Sequence, residues 1–329
     1  PNELRVNGTE NLVAVISWRR ARLDIALITA DNKIAFRDQI PLTEEEDKVD
    51  KITSTFFNIM KPKVGDRRIM GLCIIIPGII DAENKRILST VIGVGYSDPV
   101  VQRFEEAFHD YPFCLLNDTA CFAYAEYVFA NITEPNFAYI NVSKGVGACL
   151  FANGKMLRGA GSNATQFGHF SVDRNGPLCA CGNHGCVERV VGENALTERA
   201  EACGIDLTRF AGRKPLYCDI GAMAEDGDAH AKELIKDLAV DLSFAISNLI
   251  TLFNPSLVVI GGMGVNLGPF FLSKIRDEVQ NSGFKEFVSN TWIQYSTLGL
   301  DSELGGAARY YIDHYYDFFE QMRGGLYAD

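Results

Sequence analysis

The chain has 329 residues, of which 47% are hydrophobic and 22% charged, and its formal net charge is −11. A nucleic-acid-binding surface needs clustered lysine and arginine to neutralise phosphates, so this charge argues against such a surface on the chain itself. No apolar run reaches the roughly 18 residues that a membrane span requires, and the first residues lack the basic and apolar regions of a secretory signal. Composition therefore predicts a globular protein that does not associate with a membrane.

The chain contains nine cysteines, which indicate its cellular environment. Six of them are scattered through apolar segments, where they fit buried small side chains better than a disulfide framework. An odd, scattered set of this kind is typical of a reducing compartment. We therefore expect a cytoplasmic protein.

Strand and helix signals alternate from the start of the chain. Apolar runs at 12–17 and 23–29, with a third near 33–37, predict an antiparallel meander. A helical pattern follows, and then the run GLCIIIPG, which is apolar on both faces like a central parallel strand. The short strand FCLLN leads into the helix DTACFAYAEYVF. These signals predict a first α/β lobe over residues 1–117, completed by a C-terminal helix at 303–322.

The same order of elements begins again near residue 136. The strands FAYINVS and GACLFANGKMLR, a long helix to residue 253 and the strand SLVVIGG predict a second α/β lobe over residues 118–302. We expect residues 205–228 to form a surface excursion. Two duplicated α/β lobes would place a ligand in a cleft between them, where strand ends and loops converge.

The segment GHFSVDRNGPLCACGNHGCVE, residues 168–188, holds one histidine and three cysteines between glycine turns. His169, Cys179, Cys181 and Cys186 offer one imidazole and three thiolates, the ligand set of a closed tetrahedral zinc site. The alternatives are unrelated thiols beside a histidine, or a redox pair, although no C-x-x-C stands at a helix start. The sequence predicts a structural Zn2+ in a loop at 169–186, with no part in chemistry.

These residues, taken with several others, resemble the ROK family of repressors, open reading frames and sugar kinases. The resemblance covers nearly the whole chain and is carried by the histidine and cysteines together with Pro77-Gly78, Asn117-Asp118 and Gly261-Gly262. It implies two actin-like, ribonuclease-H-like α/β lobes with a sugar bound between them beside the zinc loop. Because the family includes enzymes and transcription factors, the deciding question is whether this chain can handle ATP.

The phosphate turns of the family are altered in this sequence. ROK sugar kinases carry an Asp-x-Gly-Gly-Thr turn between their first two strands, where glycines let backbone N–H groups approach phosphate. Here that turn reads SWRRA, residues 17–21, and the second turn, usually Gly-Thr-Gly-x-Gly, reads SKGVG, residues 143–147. Phosphoryl transfer depends on positioning, so we expect no bound ATP and no catalytic residue. In a kinase, Asp118 would be the general base.

The basic residues of these turns have two interpretations. Arg19, Arg20 and Lys144 could converge on an anion, which would favour a phosphorylated sugar as ligand. The interpretation that we favour for the arginines is a solvated hairpin tip, since charged side chains at turns are usually exposed.

The sugar-binding positions of the family are better preserved in this sequence than its phosphate turns. The resemblance implies sugar contacts from Gly78, Asn117, Asp118, Gln166, His169 and Glu188. Asp118 matches the carboxylate that takes the proton of the sugar hydroxyl in the kinases of the family and binds that hydroxyl in its repressors. The alternative is that Asp118 acts only as the N-cap of a helix. Glu188 could instead be an exposed carboxylate at a helix start. Gln166 stands where the family has a glutamate. Its amide can both donate and accept hydrogen bonds, whereas a carboxylate only accepts them.

Two functions from different classes follow. In the first, the chain is the sugar-sensing and oligomerisation part of a ROK transcriptional regulator, a homodimer or homotetramer that binds a small-molecule sugar effector. DNA would be read through a helix-turn-helix upstream of Pro1, absent from this chain. In the second, the chain is an ATP-dependent sugar kinase with a degenerate phosphate loop; a free-standing sugar-binding protein is a lesser option. The altered first turn favours the regulator.

Overall fold

The described residues form two compact units, each built on a five-stranded sheet, and the first unit also contains a two-stranded sheet at residues 78–81 and 86–90. The computed structural model describes residues 8–90, 99–160 and 164–316. Within these ranges the first unit contains residues 8–90, 99–131 and 301–316, and the second contains residues 132–160 and 164–300. The predicted helix residues from 317 onward lie outside the described residues.

The first unit begins with the predicted meander. In chain order its elements are β1 (Asn11–Trp18), β2 (Arg22–Thr29), β3 (Ile34–Pro41), α1 (Lys48–Thr55), β4 (Arg68–Ile76), β5 (Gly78–Asp81), β6 (Arg86–Thr90), α2 (Val100–Ala107), β7 (Phe113–Asn117) and α3 (Asp118–Phe129). The sheet order is β3-β2-β1-β4-β7, with the meander antiparallel and β1, β4 and β7 parallel to one another. The central strands β1 and β4 are almost entirely buried, as their apolar runs predict.

The parallel strands bring three chain segments to one edge of this sheet. Ser17 near the end of β1 pairs with Ile75 of β4, and Ile76 pairs with Asn117 at the end of β7. The carboxyl ends of parallel strands meet at the same edge. The turn at residues 19–21, the start of β5 and the start of α3 therefore lie at this edge.

The second unit repeats this order. Its elements are β8 (Phe137–Val142), β9 (Val146–Ala152), β10 (Lys155–Met156), α4 (Val187–Val191), α5 (Glu193–Ala202), α6 (Tyr217–Glu225), α7 (Ala229–Phe253), β11 (Leu257–Gly261), α8 (Gly268–Gln280), α9 (Lys285–Ser289) and β12 (Trp292–Tyr295). The sheet order β10-β9-β8-β11-β12 again places an antiparallel meander beside two parallel strands, which confirms the predicted duplication. None of the helices in the described ranges is both long and apolar enough to cross a bilayer.

The predicted surface excursion at 205–228 is wrong. This segment contains α6, which buries Tyr217, Ile220 and Met223 in the core of the second unit. The Tyr217 hydroxyl donates to the backbone oxygen of Val191 at 2.8 Å, and it lies 3.1 Å from that of Ser143. Polar residues around α6 hide its apolar face in the sequence, and packing against the helices of this unit decides its conformation.

The last described helix, α10 (Ser302–His314), returns to the first unit and packs on α3. A Cβ atom on Gly306 would lie 2.0 Å from the Cys121 backbone oxygen, so the two helix backbones are in direct contact. The Tyr124 hydroxyl donates to Asp313 at 2.6 Å and joins the helices further along. Because α3 packs in this way, it belongs to the first unit, whereas the predicted division after residue 117 assigns it to the second.

We expect Gly306→Ala to destabilise the protein by about 2 to 4 kcal/mol, since the added methyl group would collide with the backbone of α3. The neighbouring Gly305 offers a matched control. Its Cβ would lie 3.2 Å from the Phe129 ring edge, which can move, and alanine favours a helix by up to about 1 kcal/mol. Urea denaturation of both variants measures the difference; equal stability of the two would contradict the close approach of α3 and α10.

Candidate functional site

The cysteine and histidine side chains of the zinc loop come together in the second unit. One ligand atom from each of His169, Cys179, Cys181 and Cys186 lies within 4.8 Å of the other three. His169 Nδ1 is 3.6 Å from Cys179 Sγ, and Cys181 Sγ is 3.6 Å from Cys186 Sγ. Tetrahedral zinc with its usual bond lengths needs ligand separations of about 3.6 to 3.8 Å. The donor set and its spacing therefore fit a zinc ion.

Two tight turns place the thiols. The Gly182 N–H donates to the Cys179 backbone oxygen at 2.9 Å, and the Cys179 N–H donates to the Asn183 oxygen at 2.8 Å. Gly182 and Gly185 have φ angles of +90° and +60°, a backbone conformation that other residues rarely adopt. A Cβ on Gly185 would also lie 1.8 Å from the Asp173 oxygen. The glycines of the motif are therefore required by the shape of the loop.

The thiols of the cluster differ in their surroundings. Cys186 is fully buried, and burial raises the pKa of its thiol to about 12. Cys181 is exposed, and a hydrogen bond from the backbone N–H of Asn183 lowers the pKa of its thiol. A buried thiolate is unfavourable unless a cation compensates its charge. The chemistry of Cys186 therefore also suits a metal ligand.

Asn117, rather than Asp118, caps helix α3. Its Oδ1 atom accepts a hydrogen bond from the Ala120 N–H at 3.1 Å, and its Nδ2 group donates to the Gly78 backbone oxygen at 2.6 Å. A Cβ on Gly78 would lie 2.2 Å from the Ser89 backbone oxygen, so a larger residue does not fit there. The alternative interpretation of Asp118 as the N-cap is therefore wrong, and Asn117 is tied to Gly78.

Asp118 is the first residue of α3, and its side chain is available for another task. One carboxylate oxygen accepts a hydrogen bond from the Thr119 N–H at 2.9 Å. Loss of hydration raises the pKa of Asp118, although the backbone N–H and the positive charge of Arg19 lower it in part. A carboxylate at a helix N-terminus is also stabilised by the helix dipole. This arrangement presents an acceptor at the edge of the first sheet.

The turn SWRRA does not leave both arginines in solvent. The Arg19 N–H donates to the Arg22 oxygen at 2.9 Å and closes the turn. The Arg19 guanidinium donates through Nε to Asp24 at 2.8 Å and through Nη2 to Glu303 in the first turn of α10. The predicted solvated hairpin tip is therefore wrong for Arg19. Arg20 fits that prediction, since 70% of its side chain is exposed.

The two carboxylates that bind Arg19 are buried, with exposed fractions of 2% for Asp24 and 1% for Glu303. Burial raises the pKa of Glu303 to about 7, although Arg19 lowers it in part. Among the residues that the structure describes, none forms a hydrogen bond with the Glu303 Oε2 atom. Sequence reasoning missed both residues. Asp24 is detectable as the acidic residue inside the apolar run LDIALIT, but nothing in the sequence links residue 303 to residue 19.

The segment SKGVG, which matches the second phosphate turn of the family, is hydrogen-bonded to the residue that follows Gly261-Gly262. Ser143 Oγ accepts a hydrogen bond from the Met263 N–H at 3.1 Å and donates to Asn141 Oδ1 at 3.1 Å. A Cβ on Gly262 would lie 2.2 Å from the same Asn141 oxygen. The glycine is needed for this packing, and the Met263 N–H already has a partner.

Glu188 at the start of α4 is half-buried, so the alternative of an exposed carboxylate is wrong. It accepts a hydrogen bond from the Val146 N–H at 3.3 Å, and a Cβ on Gly145 would lie 2.4 Å from it. The Val146 oxygen in turn would be 1.8 Å from a Cβ on Gly168, next to His169. Glu188 and the zinc-loop histidine segment thus converge on the start of β9, while Gln166 is exposed just before it.

Comparison with known proteins adds a family and several relatives. The model of the ROK family matches residues 17–313. The xylose repressor of Bacillus subtilis (strain 168) is 26% identical over 250 residues, which are 76% of this chain and 62% of the repressor. The N-acetylglucosamine repressor of Escherichia coli O157:H7 is 26% identical over 316 residues, which are 92% of this chain and 76% of that protein. The chain thus spans less than two thirds of the Bacillus relative.

Solved structures show the same fold. A ROK family transcriptional regulator, a homologue of the E. coli MLC protein, superimposes with a TM-score of 0.80 at 24% identity, covering 93% of this chain and 78% of that chain. A ROK family glucokinase from Streptomyces griseus, in complex with glucose and AMPPNP, superimposes with a TM-score of 0.74 at 22% identity, covering 90% of this chain and 98% of that chain. These likenesses confirm the predicted actin-like α/β fold.

Proposed function

Because this chain belongs to the ROK family, we propose that it is the sugar-sensing and oligomerisation part of a ROK transcriptional regulator and that it does not phosphorylate its sugar. The repressors among its relatives support this role. We propose that it acts as a homodimer or homotetramer. DNA would be contacted by a helix-turn-helix outside these 329 residues, since the chain itself is strongly acidic.

The observation that carries the proposal is the engagement of the SWRRA turn. A phosphate turn offers free backbone N–H groups and little side-chain bulk. Here the Arg19 N–H closes the turn, and the Arg19 side chain binds two buried carboxylates. A triphosphate would bring further negative charge beside Asp24 and Glu303. This arrangement favours a chain that senses a sugar without ATP.

We assign the sugar contacts to two sets of residues. Gly78, Asn117 and Asp118 belong to the first unit, and Gln166, His169 and Glu188 belong to the second. Carboxylates and amides of this kind can accept and donate hydrogen bonds to several sugar hydroxyls at once. The zinc would be structural and would orient the loop that carries His169. A ligand that binds one conformation of the protein better than another would shift its equilibrium and so change DNA binding.

We expect no phosphoryl transfer. A coupled assay of ADP release over a panel of hexoses, pentoses and amino sugars should stay at background, because the N–H and the side chain of Arg19 in the first turn are already engaged within the protein. A ROK family glucokinase run in parallel serves as the positive control. Sugar-dependent turnover that disappears in Asp118→Asn would replace the regulator by the sugar kinase.

A further inference from the structure

We propose that the sugar bound at Asp118 is uncharged, and that Arg19 is a positioning residue that serves as an internal counter-ion rather than as a receptor for a sugar phosphate. The inference rests on the proposed sugar-sensing function and specifies its ligand class. It is carried by the contacts of Arg19, by the charges around Asp118 and by one unpaired carboxylate oxygen.

Two of the five N–H donors of the Arg19 guanidinium are engaged by carboxylates. Its guanidinium contacts Asp24 through Nε at 2.8 Å and Glu303 through Nη2, and both carboxylates are buried. Arg22 donates to the same Asp24 at 2.8 and 3.3 Å. Taking the guanidinium away would leave Glu303 as a buried charge without this counter-ion, which is strongly destabilising. A phosphate group would have to compete with these contacts.

The charges of this cluster leave an excess of negative charge. Two guanidinium groups, from Arg19 and Arg22, face three carboxylates, from Asp24, Asp118 and Glu303. With all five groups ionised, one negative charge remains without a compensating cation among the described residues, and because the pKa of Glu303 is raised to about 7 this excess develops as the pH rises through about 7. The Oε2 atom of Glu303 agrees with this excess, since it is buried and no described residue donates a hydrogen bond to it.

This excess selects against a phosphorylated ligand. A phosphate monoester carries about −1.5 to −2 charges near pH 7, so it is repelled by a site that is already negative. A sugar hydroxyl is neutral and can donate to the Asp118 carboxylate. The ion pair of Arg19 and Glu303 also connects the SWRRA turn to α10. Because α10 packs on α3, this connection holds Asp118, the first residue of α3, in place.

The other basic residues of the two turns do not change this balance. Arg20 is largely exposed, and its Nη2 atom lies 4.0 Å from the exposed carboxylate of Glu44. Lys144 is exposed in the second unit. If either were a phosphate receptor, Arg20→Gln or Lys144→Gln would weaken binding of a sugar phosphate specifically.

Calorimetric titration of matched pairs tests the inference. Hexoses, pentoses and N-acetylated amino sugars are each titrated beside their own phosphate esters against the full chain. The free sugar that binds is expected to bind at least about tenfold more tightly than its phosphate ester. A phosphate ester that binds as well as or better than its free sugar overturns the inference and leaves the sugar-sensing function intact. Binding of neither form overturns both.

Glu303→Gln separates a charge effect from a purely structural one. It removes one negative charge but keeps the shape of the side chain, so the preference for the free sugar over its phosphate ester should shrink by about tenfold. Arg20→Gln, on the exposed side of the same turn, should leave this ratio unchanged. A Glu303→Gln variant that weakens both ligands equally would show a structural role alone and would overturn the counter-ion assignment. The wild-type titration decides the ligand class even if this variant folds poorly.

Discussion

Removal of the Cys181 thiol is expected to cost the protein its zinc and about 3 kcal/mol or more of its stability. Cys181 is exposed, so the Cys181→Ala change removes almost no packing, and a large effect must come from the metal. The purified wild-type chain should contain about one zinc per subunit, because four protein ligands close its coordination sphere. Metal analysis and thermal unfolding of both proteins measure the effect.

Cys218→Ala is the matched control for this experiment. Cys218 is an exposed cysteine of the same unit that lies outside the metal cluster, so its loss should change neither the zinc content nor the unfolding temperature. Native protein prepared with zinc and without chelators that still lacks metal would refute the site. A Cys181→Ala variant that unfolds at the wild-type temperature would also refute the site.

Asp118→Asn is expected to weaken binding of the sugar by roughly 30-fold, or about 2 kcal/mol, since a hydrogen bond to a charged acceptor is replaced by a neutral one. Stability should stay unchanged or rise slightly. Asn117 provides the helix cap, and the raised pKa of Asp118 means that its ionised form is disfavoured in the folded protein. Titration calorimetry and urea denaturation of the variant test both statements.

The pH dependence of the same site follows from the sign of this shift. Because the pKa of Asp118 is raised, the carboxylate takes up its proton at a higher pH than an ordinary aspartate. Sugar affinity should fall as the pH decreases through this pKa, while the contribution of Asp118 to the stability of the fold increases. Asp38→Asn, on the exposed strand β3, is the control for a general charge effect. Unchanged sugar affinity in Asp118→Asn would show that the site assignment is wrong.

The order of the strands was predictable from the sequence because it depends on local patterns. Apolar runs such as those of β1 and β4 must be buried on both faces, and polar turns separate them wherever they occur in the chain. The clustering of His169 with the three cysteines was predictable for a similar reason, since the turns of this loop are formed by neighbouring residues and its glycines permit only a few conformations.

The contacts of individual side chains were less accessible to sequence reasoning. Arg19 looks like an exposed turn residue because its partner Glu303 lies 284 positions further along the chain. Helix α6 looks like a loose segment because its buried face becomes visible only against the helices that cover it. Long-range pairs of this kind leave no periodic pattern in a single sequence.

The sequence alone therefore determined the duplicated α/β order, the loop that gathers His169 and the three cysteines, and the residues SWRRA between the first two strands. Only the tertiary structure decided what the side chains of that turn contact. It folds α10 back onto α3 and so brings the buried Glu303 carboxylate to Arg19 and into the electrostatic environment of Asp118. The physical reason is that apolar patterns act between near neighbours, whereas the partner of a buried charge is chosen by whichever element packing brings beside it.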